Sequence, residues 1–251
     1  MKSFIAPVVV LLTLATCLHS PTAAAGVVEL NQQLITAVMS NQAAQVRAAI
    51  DAGADVNADI GDGRTPLILA VMSTRPDAVR ALLEKGADPN RCAHDAAIGN
   101  ALTAAFFAMN GVELRGEADS PDARNHAAAL DVLKLVAERK PDFNHQARRA
   151  GTSQTALMMA AQAGAADAVE ILLAAGADPN AMNGGKYTAL DYAVERAPGW
   201  SQVPVANRVA IVRMLLAAGA RKDRKGADGL TPIERATRAG NAEIRALLAA
   251  R

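Results

Sequence analysis

A five-residue pattern, Gly-Ala-Asp followed by any residue and then Asn, constrains the fold of this chain more than any other feature. It occurs at Gly53–Asn57, Gly86–Asn90 and Gly176–Asn180, and the first two copies lie 33 residues apart. The last copy closes the fullest repeat, Thr155–Asn180, in which two Ala-rich and Leu-rich segments flank a Gly. A recurring spacing of this length indicates a stack of small units, so we predict a repeat architecture.

Six copies of this unit can be placed after residue 28, and each predicts two short helices joined by a turn. Insertions interrupt the third copy at about 110–125 and the fifth at about 197–205. Both lie between the two helices of a copy. The copies span about 29–60, 61–91, 92–145, 150–180, 183–223 and 226–251.

The ends of the helices are marked by residues suited to them. Thr65 is a good N-cap, and Pro66 suits the first helical position because its missing N–H costs nothing there. Gly86 can take the left-handed conformation that closes a helix. In the third copy Lys140 replaces this Gly and precedes Pro141, so we expect that helix to end differently from its neighbours.

Two columns of residues run through the aligned copies. About half of the chain is apolar (51%), but only 3% is aromatic, which fits helices that pack closely. One helix pair cannot bury its apolar face alone, so stacking must supply the core. The first column holds Ala37, Ala70, Ala105, Ala160, Ala193 and Ala236, and the second holds Ala49, Leu82, Val136, Leu172, Leu215 and Leu248.

These motifs, from Thr-Pro-Leu to Leu-Leu and Gly-Ala-Asp-Pro-Asn, resemble the ankyrin repeat over nearly all of Glu29–Arg251. The resemblance implies an all-α solenoid of about six helix-turn-helix repeats with short β-hairpin fingers along one edge. The family's His after Thr-Pro-Leu is replaced in every copy, which leaves more of the cohesion to apolar packing. The replacing residues are Ile35, Ile68, Thr103, Met158, Asp191 and Glu234.

The same resemblance implies that fingers and first helices form a surface that grips another protein. The five finger tips would be 59–64, 94–96, 148–152, 183–187 and 225–229, and they mix both charge signs with Gly and one Tyr. The alternative is that they are only solvated turns. The candidate partner contacts are Asp62, Arg64, His94, Asp95, Arg148, Arg149, Lys186, Tyr187, Lys225 and Asp228.

The insertion of the fifth copy contains Trp200, the only Trp in the chain. We expect both insertions on the edge opposite the fingers. Trp is enriched at binding hot spots, so Trp200 is a candidate anchor for a partner. The alternative is that its ring folds back over the base of its own loop.

The sequence indicates no catalytic, cofactor or metal site. Cys92, His94 and Asp95 are close together, but near-adjacent side chains on a loop rarely reach catalytic geometry. Metal binding by Cys92 and His94 would need two further ligands. No phosphate-binding loop, dinucleotide fingerprint, nucleophile elbow or zinc-protease motif is present.

The first 25 residues resemble an export signal. Lys2 supplies the positive charge, Ile5–Leu18 the apolar stretch and Ala23–Ala25 a small-residue cleavage site. The apolar stretch is shorter than the roughly 20 residues that span a bilayer. We therefore expect a cleaved, periplasmic protein; lipid anchoring at Cys17 is the alternative, although Thr16 fits that processing site poorly, and secretion is another.

With a formal net charge of +1, the chain gives no reason to expect nucleic acid as a partner. We expect a monomer that binds another protein. It could scaffold or stabilise a periplasmic partner, as exported bacterial ankyrin proteins linked to stress defence do. It could instead be an immunity-type inhibitor of a toxin or hydrolase, or an effector that acts on a host protein.

Overall fold

A computed structural model describes the backbone of residues 21–94, 98–114, 122–149, 152–195 and 203–250. Side chains are described for 26–94, 98–109, 126–148, 153–195 and 203–250. No helix in these segments is both long and apolar enough to cross a membrane.

The regular secondary structure of the described residues is almost entirely helical, which confirms the predicted all-α repeat stack. One hairpin, β1 (Ala147–Arg149) with β2 (Thr152–Gln154), is antiparallel. The helices are α1 (Pro21–Met39), α2 (Ala43–Asp51), α3 (Pro66–Met72), α4 (Pro76–Glu84), α5 (Ala101–Leu114), α6 (Asp122–Ala137), α7 (Ala156–Ala163), α8 (Ala166–Ala175), α9 (Ala189–Val194), α10 (Val205–Ala217), α11 (Pro232–Arg238) and α12 (Ala242–Ala249).

The helices form two layers. The odd-numbered helices, which are the first helices of the repeats, contact one another in order from α1 to α11. The even-numbered second helices contact one another in the same way from α2 to α12. Each layer therefore grows by one helix per repeat, and the core lies between neighbouring repeats.

Both predicted columns are buried. Every Ala of the first column is at most 2% exposed, and Leu82, Val136, Leu172 and Leu215 of the second are completely buried. Ala49 and Leu248, at the two ends of the second column, are 7% and 3% exposed. The small residues let first helices approach closely, and the larger ones fill the space between repeats.

Two of the positions where the family has His carry a carboxylate that caps a helix. The carboxylate of Asp191 accepts hydrogen bonds from the backbone N–H (2.8 Å) and hydroxyl (3.0 Å) of Thr188. Glu234 accepts the same two bonds from Thr231, at 2.7 and 2.8 Å. Each pair is a capping box, in which an N3 carboxylate serves the start of its own helix.

Side chains of Asn supply hydrogen bonds between repeats and add to the apolar packing. The side-chain oxygen of Asn57 accepts the backbone N–H of Asp88 in the next repeat at 2.8 Å. The side-chain oxygen of Asn90 accepts the backbone N–H of Asp142 at 2.7 Å. This bond forms even though the insertion of the third copy lengthens the chain between the two residues. The repeated Asn of the Gly-Ala-Asp-x-Asn pattern thus ties each of these loops to its successor.

The helix that ends before Lys140 closes with a left-handed residue, as its neighbours do, but it lacks one of their hydrogen bonds. Pro141 has no N–H to match the bond from Ala87 to the carbonyl of Leu82 (2.9 Å), so this helix ends differently in that respect, as expected. Lys140 has a φ of +49°, the left-handed conformation that Gly86 adopts in the second copy at +87°. Its N–H donates to the carbonyl of Ala137 at 3.0 Å, as that of Gly86 does to Leu83 at 3.4 Å. The tertiary packing therefore imposes this conformation even on a residue with a side chain.

Helices extend into both predicted insertions. α5 continues to Leu114 and α6 begins at Asp122, so the predicted insertion 110–125 overlaps two helix ends. At the end of the second insertion, the side chain of Val203 lies against Gly164, the turn between α7 and α8. This contact places that end of the insertion on the edge opposite the fingers, as predicted.

We expect core and surface positions to respond differently to substitution. Leu172→Ala removes a fully buried side chain and should cost about 2–5 kcal/mol of unfolding free energy. Ala160→Leu should overpack the contact between first helices and cost about 1–3 kcal/mol. Arg238→Ala, at an exposed position, should stay within about 0.5 kcal/mol. Urea unfolding of the three variants measures this, and equal losses would refute the assignment of the columns.

We also expect Lys140→Gly to stabilise the protein by about 0.5–1 kcal/mol. A left-handed residue with a side chain costs roughly 1–2 kcal/mol, and part of this gain is offset by the entropy of Gly in the unfolded chain. The converse change at the matching position of the second copy, Gly86→Lys, should lower the unfolding free energy. Backbone strain is its only expected cause, because a side chain there meets no atom within 4 Å. Thermal unfolding that shows no gain for the first variant would contradict this account.

Candidate partner-binding surface

The first finger, residues 59–64, is a tight hairpin turn. Asp62 and Gly63 have φ values of +55° and +69°, and the N–H of Arg64 donates to the carbonyl of Gly61 at 3.0 Å. Positive φ at both central residues is the type I′ turn that Asp-Gly favours. The carboxylate of Asp59 accepts the N–H groups of Gly61 (2.9 Å) and Gly63 (3.1 Å), so it holds the turn from its base.

The fourth and fifth fingers share a different turn. In the fourth finger the N–H of Lys186 donates to the carbonyl of Asn183 at 2.9 Å, and Lys186 has a φ of +60°. In the fifth, Gly229 donates to Gly226 at 3.0 Å and has a φ of +77°. Each is a hairpin whose turn ends in a left-handed residue. Lys186 therefore occupies a position where Gly is the less strained choice.

Backbone hydrogen bonds join neighbouring fingers. The N–H of His94 in the second finger donates to the carbonyl of Asp62 in the first at 2.7 Å. The N–H of Ala227 in the fifth donates to the carbonyl of Gly185 in the fourth at 3.0 Å. These bonds order the first finger relative to the second and the fourth relative to the fifth, so the fingers of each pair are held together before a partner binds.

A buried guanidinium organises the last two fingers. Arg235, only 2% exposed, lies on α11 with its Nε 3.2 Å from Oδ1 of the buried Asp191. Its Nη2 contacts the carboxylate of Asp228 in the fifth finger, and its carbon Cζ lies 4.6 Å from the centre of the Tyr187 ring in the fourth. Its Nη1 lies 3.7 Å from the carboxylate of Glu195. Arg235 thus connects α9 and both fingers.

This arrangement is electrostatically costly as well as cohesive. Burial raises the pKa of Asp191 above its ordinary value, and the hydrogen bonds from Thr188 and the charge of Arg235 offset this only in part. Neither Nε of Arg235 nor Oδ1 of Asp191 makes a hydrogen bond among the described residues, so their contact is ionic. Removal of Arg235 would leave the carboxylate of Asp191 buried without a counter-ion, whereas Arg235 would keep Asp228 and Glu195 if Asp191 were removed.

The thiol of Cys92 pairs with a residue that the sequence did not suggest. Its Sγ lies 3.8 Å from both ring nitrogens of His145, whereas the His94 ring lies against Gly63 in the first finger. Burial, with the charges of Asp142 and Asp88, raises the pKa of Cys92. A thiol that stays protonated is a poor nucleophile. Among the side chains that the structure describes, no three possible ligands are grouped for a metal ion.

The predicted contact residues do not all have the same exposure. Asp62, His94, Arg148, Lys186, Lys225 and Asp228 are exposed, whereas Arg64 and Tyr187 are partly buried. Arg64 pairs with Asp62 at 3.2 Å, and Tyr187 and Asp228 are engaged by Arg235. Asp95, Trp200 and the side chain of Arg149 lie outside the described residues. The role of all these residues in binding stays a prediction.

Sequence reasoning missed Arg235 as the organising residue of this surface. The aligned position holds Thr36, Leu69, Ala104, Met159 and Tyr192 in earlier copies, so an Arg there is a visible departure. That departure at a core-facing position, with Asp191 in the preceding copy, was the available signal. The partners of Arg235 come from three elements, and their approach depends on the stack itself.

Comparisons with known proteins agree with this architecture. A family model described as ankyrin repeats, in three copies, matches residues 12–92 and 123–225, more than half of the chain. A search of curated proteins found no match. Among solved structures, the ankyrin repeat protein EF0377 is 27% identical, with a TM-score of 0.66 over 87% of this chain and 97% of that one. An ankyrin repeat domain from Acinetobacter baumannii AYE is 26% identical, with a TM-score of 0.65 over 86% and 95%.

We expect Arg235→Met to cost roughly 3 kcal/mol of unfolding free energy near neutral pH, because Asp191 stays buried without its cation. Burial raises the folded-state pKa of Asp191 above its ordinary value of 3.8. The contribution of this residue to folding stability therefore falls as pH rises above 3.8. Without Arg235 this pKa rises further. The loss should therefore be small near pH 4 and grow toward neutral pH.

Urea unfolding across this pH range is the measurement. Arg245→Ala is the control, because Arg245 is exposed on α12 of the same repeat, and it should change stability little at any pH. A loss in Arg235→Met that does not vary with pH would show that the side chain acts only through packing.

Proposed function

Because the chain belongs to the ankyrin-repeat family, whose members are generally non-enzymatic interaction modules, we propose that it is an exported scaffold. It binds a partner protein in the bacterial periplasm through its finger row and holds that partner in a stable arrangement. Stress defence is the setting that we propose for this role.

The observation that carries this proposal is the pair of backbone hydrogen bonds that join the first finger to the second and the fourth finger to the fifth. A surface that is ordered before binding loses less entropy when a partner docks. The bonds from His94 to Asp62 and from Ala227 to Gly185 order the two ends of the row, and Arg235 fixes the last two tips from below. Exposed polar and charged tips on rigid supports suit recognition of another protein.

Export is supported by the pattern of the first 25 residues. Cleavage after Ala25 would fall within α1, and Leu34, Ala37 and Val38, the buried residues among the side chains described for this helix (26–39), would be retained. The mature protein would therefore keep the part of α1 that packs on the stack. Mass spectrometry of the mature N-terminus tests this step, and a start at Met1 or at a lipidated Cys17 would reject it.

Binding through the fingers can be tested by site-specific photo-crosslinking in cells. A photoreactive residue at Asp62 or Lys186 probes the finger row, and the same residue at Arg80 or Arg213 probes exposed positions on second helices. We expect a defined crosslinked partner from the first pair only. Equal products from all four positions, or none from the fingers, would reject the proposed surface.

A further inference from the structure

The finger row is divided by charge. The first finger carries two exposed carboxylates, Asp59 and Asp62, against the single guanidinium of Arg64. The third, fourth and fifth fingers each carry an exposed cation, namely Arg148, Lys186 and Lys225. Opposite charges thus stand at opposite ends of one row, although the net charge of the whole chain is only +1.

The carboxylates near the basic end are already engaged. Asp228, on the fifth finger, pairs with Arg235, and Glu195 lies between Arg235 and Arg238 at 3.7 and 3.6 Å. Glu234 lies within electrostatic reach of Lys225, but its carboxylate is held by Thr231. These acids therefore make their close contacts with other groups, and none of them forms an ion pair with Lys186 or Lys225 in the described part of the chain.

The acids at the base of the fingers are also turned toward their own loops. The carboxylate of Asp142 accepts the N–H of Asn144 at 2.9 Å, and that of Asp178 accepts the N–H of Asn180 at 2.8 Å. In the described part of the chain, neither Lys186 nor Lys225 forms an ion pair. Their ammonium groups face solvent while nearby carboxylates serve the structure.

The backbone at Lys186 adds a second indication. Its φ of +60° is the conformation that Gly229 supplies at the matching place in the fifth finger. A lysine in this conformation is strained relative to Gly. Of the two described lysines with positive φ, Lys140 and Lys186, only Lys186 stands at a finger tip. The exposed charge at the tip of the finger is what the lysine provides and Gly would not.

We infer that the basic end of the finger row, which presents Arg148, Lys186 and Lys225, recognises an acidic segment of the partner protein, with Lys186 and Lys225 as its principal contacts. This inference rests on the proposed function and names the chemistry of the partner. The first finger, in which two carboxylates stand against the single guanidinium of Arg64, has a net negative charge that repels the same segment and so fixes the direction in which it lies. A polyphosphate backbone that followed the whole row would meet these carboxylates, which favours protein over nucleic acid.

The test is fluorescence anisotropy with a labelled decaglutamate peptide at low and at physiological ionic strength. The test variant, Lys186→Gly with Lys225→Gln, removes both cations without adding strain. The control, Lys140→Gly with Arg213→Gln, removes two exposed positive charges away from the finger tips, and its first change occurs at the same type of backbone position. Thermal unfolding confirms that each variant is folded.

We expect the unaltered protein to bind decaglutamate, more weakly as salt rises, and the test variant to bind about fivefold more weakly. The control should change affinity by less than about twofold. Equal losses in both variants, or no binding by the unaltered protein, would overturn the inference. Tighter binding of a single-stranded oligonucleotide than of decaglutamate, with the same loss in the test variant, would also overturn it.

The crosslinked partner separates this inference from the proposed function. If photo-crosslinks form at the fingers but the same partner binds the test variant unchanged, the acidic segment is refuted and the binding surface stands. If no crosslinks form at the fingers while decaglutamate still binds, the proposed function fails and the basic end is only an anion-attracting surface. In that last case the inference also fails, because it requires a partner protein that binds at the fingers.

Discussion

Burial of each repeat against the next is the interaction on which the rest of the structure depends. No pair of helices here has enough apolar surface to form a core alone, and the chain has few large aromatic side chains to compensate. The columns of Ala and Leu solve this by close approach: first helices meet at small residues, and second helices fill the space beside them. Because each repeat contacts its neighbours, the polar loops are left outside and can vary without loss of the core.

The repeated parts of the fold could be predicted because the sequence samples each position several times. Ala70 or Leu82 alone indicates little, but the same residue types at the same place in successive copies indicate a buried column. Caps such as Thr65 were predictable for the same reason. The closure at Lys140 was not, because local preference favours Gly there and only the packing of the stack imposes a left-handed residue.

The candidate surface was predictable as a set of loops but not as a set of contacts. The tips at Asp62 and Lys186 follow from the spacing of the repeats, whereas the role of Arg235 depends on residues from α9 and two fingers that meet only in the stack. The hydrogen bonds that Asn57 and Asn90 make between repeats were predictable in part. Their regular recurrence was visible, and an amide that can both donate and accept is suited to joining loops.

The stack and the surface are linked through charge. The carboxylates of Asp191 and Glu234 cap helix starts, and those of Asp191 and Asp228 pair with the buried Arg235. The finger cations Lys186 and Lys225 remain exposed. The interactions that fix the fingers therefore also decide which charges they present. A fold without that support would offer the same residues on mobile loops, with a larger entropy cost for binding.

The central claim is that neighbouring repeats, packed in a row, hold the chain in an extended shape. Small-angle X-ray scattering of the purified protein tests it most directly. A globule of this length has a radius of gyration of roughly 18 Å. We expect a clearly larger value with an asymmetric distribution of interatomic distances. A symmetric distribution with a radius near the globular value would contradict the account.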